Sequence, residues 1–79
     1  MNRQTTEFKK LEDFLKENNF KYEYFDGIFI VYTDTKDISL IYRKFYDTWI
    51  VIESTNDGMK GYYQYLDIII NELSKMKQA

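Results

Sequence analysis

Three observations predict an α+β fold, a four-stranded antiparallel meander with an N-terminal and a C-terminal helix packed on one face. Apolar residues recur at helical spacing near both ends of the chain. Between them, aromatic and β-branched residues fall in short runs of strand period. Asp26-Gly27 separates two of these runs, and that dipeptide favours a two-residue hairpin turn with positive φ at both positions. The 79 residues suffice for one domain over 1–79 and leave no room for a second core.

The first helix is expected over 6–17, where Phe8, Leu11, Phe14 and Leu15 fall on one face. Thr5 or Thr6 is the expected N-cap, and Glu7 suits the positive end of the helix dipole. Glu12 and Lys16 form a favourable i,i+4 pair, and Asn18-Asn19 is the expected stop because Asn tolerates the left-handed conformation. Strands are expected over 20–25 and 28–33, joined by Asp26-Gly27, then over 38–45 and 49–54. Short connections between successive strands favour a meander. Met59, Tyr62, Leu66, Ile69, Leu73 and Met76 are spaced 3, 4, 3, 4 and 3, which predicts a long helix over 59–76 capped by Asp57.

Strand period also sorts residues onto faces. A two-residue turn at Asp26-Gly27 puts Phe20, Tyr22, Tyr24, Phe29 and Val31 on one face of the first hairpin. It puts Lys21, Glu23, Phe25, Ile28, Ile30 and Tyr32 on the other. In the second hairpin, Ser39, Ile41, Arg43, Phe45, Ile50 and Ile52 lie opposite Leu40, Tyr42, Lys44, Trp49 and Val51. Both faces carry apolar residues, yet two side-by-side helices cover only about the 19 Å width of a four-stranded sheet. One face is therefore expected to stay open, with aromatics among a few charges. Alternation does not say which face that is.

Composition removes several function classes. The chain has no Cys and no His, so a thiol nucleophile, a His-based triad and a Cys/His zinc site are excluded. Its three glycines, Gly27, Gly58 and Gly61, form no phosphate-binding loop. Asp34-Thr35-Lys36-Asp37 lacks the calcium-loop pattern. The expectation is a protein that is not an enzyme and needs no cofactor or metal. A net charge of −2 argues against direct nucleic-acid binding, which rests on neutralising phosphates. No apolar run is long enough for a signal peptide or a membrane span, so a cytoplasmic protein is expected.

The remaining candidate is a surface that meets another protein. Tyr and Trp give large contact area at low entropic cost. Tyr32, Tyr42 and Trp49 are therefore candidate partner-binding residues, together with the acidic Glu23, Asp26, Asp34, Asp37, Glu53 and Asp57. Those carboxylates also have the ordinary roles of turn formers and caps, or could mimic phosphates in a basic channel.

Six Phe, eight Tyr, three Met, nine Ile, five Asn and nine Lys make up 40 of the 79 residues, a bias toward AT-rich codons. In size, acidity, codon bias and element order, the chain resembles small proteins of phages and mobile elements in low-GC bacteria, including anti-CRISPR inhibitors. The resemblance rests on no motif. It implies a small inhibitor of a host protein, such as a bacterial nuclease or nucleoprotein complex of the CRISPR type. Two other functions are compatible with the residues: an immunity protein or antitoxin that neutralises a toxin, and a structural or regulatory homodimer.

Overall fold

The computed structural model describes residues 2–78. The elements are α1 (Arg3–Glu17), β1 (Lys21–Phe25), β2 (Ile28–Tyr32), β3 (Asp37–Arg43), β4 (Thr48–Thr55), β5 (Gly58–Gln64) and α2 (Leu66–Leu73). The fold is α+β, with an antiparallel sheet between an N-terminal and a C-terminal helix. The sheet has five strands rather than the expected four, in the order β1-β2-β3-β4-β5.

The extra strand replaces the first third of the helix expected over 59–76. Asn56 and Asp57 close a tight turn, Thr55 pairs with Gly58, and β5 runs back along β4 with Val51 opposite Tyr62. Gly58 has φ +135°, a conformation that L side chains rarely adopt. Within the expected range, Gly61 and the adjacent Tyr62 and Tyr63 are also poor helix formers. The helical spacing of Tyr62 and Leu66 has a different origin. Tyr62 packs against the core from a strand and Leu66 lies in it from a helix. Asp57 therefore sits in a hairpin turn, and the N-cap of α2 is Tyr65, with no side-chain cap.

The first hairpin follows the sequence-based expectation. Phe25 pairs with Ile28, and Asp26 and Gly27 take φ 50° and 83°, the positive values a type I′ turn requires. The third strand ends two residues earlier than expected. Lys44 to Asp47 form the β3–β4 loop, with Asp47 at φ 54° and Phe45 85% exposed. At the opposite end of the sheet, Thr33 organises the β2–β3 loop. Its Oγ1 accepts from the Lys36 N–H at 3.1 Å and donates to the Lys36 carbonyl at 2.8 Å. The chain end returns to this loop, where the Asp34 N–H donates to the Lys77 carbonyl at 3.1 Å.

Helix α1 starts earlier than expected. Asn2, not Thr5 or Thr6, is the N-cap, its Oδ1 accepting from the Thr5 N–H at 2.8 Å. Asn19 leaves the helix at φ 58°. Both helices lie on one face of the sheet. Leu11 and Leu15 of α1, with Leu66, Ile69 and Leu73 of α2, bury against Phe29, Val31, Ile38, Leu40, Trp49 and Val51. Phe8 centres an aromatic cluster beneath α1. Its ring lies 5.5 Å from Phe29, 5.4 Å from Trp49, and 6.0 Å from both Tyr24 and Tyr42. Offset and edge-to-face pairs of this kind stabilise by roughly 0.5–1.5 kcal/mol each beyond their buried area. No helix in the described residues is long and apolar enough to cross a membrane.

Candidate functional site

With both helices on one side, the opposite face of the sheet is covered by nothing in the described residues. Strand register defines its rows. One row runs Phe25, Ile28, Ile41, Ile50, Tyr63 across all five strands, and the next runs Glu23, Ile30, Ser39, Ile52, Gly61. A row toward one end runs Lys21, Tyr32, Asp37, Ser54, Met59. At the other end stand Arg43 and Thr48. Five isoleucines thus share the open face. Each is half-buried by its neighbours, since β-branched side chains shield one another across adjacent strands.

The apolar rows end on an arginine held between tyrosines. Arg43 Cζ lies 3.8 Å from the Tyr63 ring centroid and 4.0 Å from that of Tyr46. Arg43 Nη1 also donates to Thr48 Oγ1 at 3.2 Å. The guanidinium is thereby held flat against aromatic faces, with little rotamer freedom left to lose on docking.

The structure divides the sequence-predicted site residues into three groups. Tyr32, Glu23 and Asp37 lie on the open face. The Tyr32 hydroxyl donates to Glu23 Oε2 at 3.0 Å, and that bond, with burial, raises the Tyr32 pKa above its ordinary value. Asp26, Asp34 and Asp57 are exposed in turns, Asp34 and Asp57 at the same end of the sheet as Asp37 and Asp26 at the other. They form no single acidic patch, and among the described residues no three carboxylates gather as a metal site would require.

Trp49, Tyr42 and Glu53 lie on the helix side. Trp49 is 0% exposed, and its Nε1–H donates to Glu7 Oε1 at 3.1 Å, so its single donor is satisfied inside the fold. Tyr42 packs edge-on against Trp49 at 5.3 Å. Trp49 is therefore core and Tyr42 is half-buried against it beneath α1, a correction to their expected place on an open contact surface. The face that carries them meets α1, whose Phe8 ring packs against both. Glu53 faces α2. It accepts from Lys36 Nζ at 2.6 Å and from the Tyr62 hydroxyl. Burial opposes its charge, but the bonds from Lys36 and Tyr62 outweigh this and hold Glu53 below the ordinary carboxylate value. Burial, with the bond to Glu53, pushes Tyr62 up to about 12. The group is an internal brace beside a cavity of about 40 Å³ between α2 and the sheet, room for a water molecule or so.

Sequence reasoning grouped Ile28 with Ile30, and Ile41 with Ile50, Ile52 and Arg43, but did not single them out as a site. Their signal was the alternation itself. Tyr63 and Tyr46 had no usable signal, because one was read into a helix and the other into a turn. Comparison with protein-family models, curated proteins and solved structures finds no match for this chain.

Proposed function

We propose that this protein is a non-catalytic inhibitor that acts by docking the open face of its sheet against a host protein. The observation that carries this reading is the pair of rows containing Ile28, Ile30, Ile41, Ile50 and Ile52, uncovered among the described residues. The sheet outline, about 24 Å across five strands, gives a face of roughly 450 Å². The isoleucines occupy the middle of that face, with the charged residues toward its margins, the apolar-centre and polar-rim arrangement of protein interfaces. Arg43, Tyr46 and Tyr63 at its rim are residue types enriched at interface hot spots. The two cations on the face, Lys21 and Arg43, are matched by Glu23 and Asp37, so a protein surface suits it better than a phosphate backbone.

The resemblance to anti-CRISPR inhibitors makes a CRISPR effector the host protein to test first. Expressed in a low-GC bacterium with an active CRISPR system, the protein should protect an incoming plasmid from interference. Ile41→Lys, with an unchanged thermal melt, should abolish that protection. A folded Ile41→Lys variant that protects as well as the natural chain would overturn the assignment of this face.

A further inference from the structure

We infer that in the free protein the open face is occupied by a second copy of the chain, in a face-to-face dimer with a two-fold axis running across the strands. This rests on the reading of that face as a protein-docking surface and names its resident partner.

A self-complementary interface must match under rotation. Two sheets packed face to face with their strands aligned admit two such axes in the plane between them. An axis along the strands lays each row on itself, so Arg43 meets the partner's Arg43 and Asp37 meets the partner's Asp37. Like charges would then face each other at both ends. An axis across the strands turns each strand end for end. Because Ser39 and Ile41 flank the midpoint of β3, this places Asp37 over the partner's Arg43 twice, once in each direction.

The same operation lays the Glu23–Ile30–Ser39–Ile52–Gly61 row on the partner's Phe25–Ile28–Ile41–Ile50–Tyr63 row, with Glu23 facing the partner's Phe25 at the β1 edge. Isoleucine meets isoleucine over β2 and β4. Over β5 the position with no side chain, Gly61, receives the large Tyr63. The rotation of roughly 30° usual between aligned packed sheets keeps the pairings over β2 and β4 within one strand spacing and offsets Asp37 from the partner's Arg43 by about one strand spacing. A footprint of about 450 Å² per copy gives on the order of 900 Å² for the pair, below the size of stable specific interfaces and in the range of weak, transient ones. A reversible dimer is therefore expected, one a tighter-binding protein can displace.

Sedimentation velocity of the full chain between about 1 and 200 µM tests this, a range suited to an interface of that size. The weight-average mass of the natural chain should rise from 9.7 kDa toward twice that value. Ile41→Lys and Arg43→Asp should each stay monomeric, with melting curves showing both folded. The charge swap Asp37→Arg with Arg43→Asp should restore the dimer. A monomer across the whole range overturns the inference, as does a dimer indifferent to both single variants or a swap that fails to rescue. If the natural chain is monomeric but Ile41→Lys still abolishes plasmid protection, the second copy is rejected and the docking face stands. If Ile41→Lys changes neither, both fail.

Discussion

The two faces of this sheet are built from the same strands but from different residues. The covered face takes Trp49, Phe29, Tyr22 and Tyr42 with Leu40, Val31 and Val51, while the open face takes five isoleucines with Phe25 and Tyr63 at its margins. Aromatic rings reach across the roughly 10 Å between sheet and helix and interlock with Phe8 and Leu11. Isoleucine needs no second layer to be half-shielded, because the pleat brings cross-strand neighbours into contact. Aromatic abundance alone was therefore a poor guide to the outward surface. Most rings serve the core, and the uncovered face is aliphatic at its centre, with Phe25, Tyr32 and Tyr63 around it.

Mutations on the two faces should separate packing from docking. Trp49→Ala should have the largest effect, costing about 3–5 kcal/mol in chemical denaturation, because it empties the centre of the aromatic cluster. Equal and small costs for Trp49→Ala and Ile41→Ala would erase the distinction between the faces. Glu53→Ala comes next. It leaves Lys36 and Tyr62 half-buried without their shared acceptor and should cost about 1–3 kcal/mol.

The same brace sets a pH response on the covered face. Tyr62 holds its proton in the folded state up to about 12, against an ordinary value of 10.0. Its contribution to stability is present below pH 10.0 and is lost as pH rises from there toward 12. Glu53 has the opposite sign. Its contribution is present above its ordinary value of 4.5 and is lost as pH falls through its lower folded value. Denaturation curves of Tyr62→Phe should show a shallower decline above pH 10.0 than the natural chain. Ile41→Ala, measured at concentrations where the chain is monomeric, should have the smallest effect, within about 1 kcal/mol, since Ile41 is only half-buried on a face without a second layer.

Much of this was legible in the strands and little of it at the chain's second Asp-Gly. Asp26-Gly27 and Asp57-Gly58 both accompany hairpin turns. The first was read correctly because alternating residues flank it on both sides. After the second come Met59, Tyr62 and Leu66 at helical spacing, and a strand followed directly by a helix can produce that spacing as well as one helix can. The cost of placing Gly61 inside a helix is the better local signal. Trp49 and Tyr42 were misplaced for another reason. Their shared face was assigned correctly, but its orientation toward the helices was not available from the strands.

Period-two alternation is a local property of the backbone. It determined which residues stand together on each face, Ile41 with Ile50 and Leu40 with Val51, before any long-range contact was known. Only the tertiary structure decided which face is core. That choice depends on where Phe8, Leu11 and Leu15 of α1 and Leu66, Ile69 and Leu73 of α2 find complementary shapes, and those contacts join residues far apart in the chain. The helices lie over the ring-lined face, where deep side chains interlock, and leave the isoleucine face uncovered among the described residues.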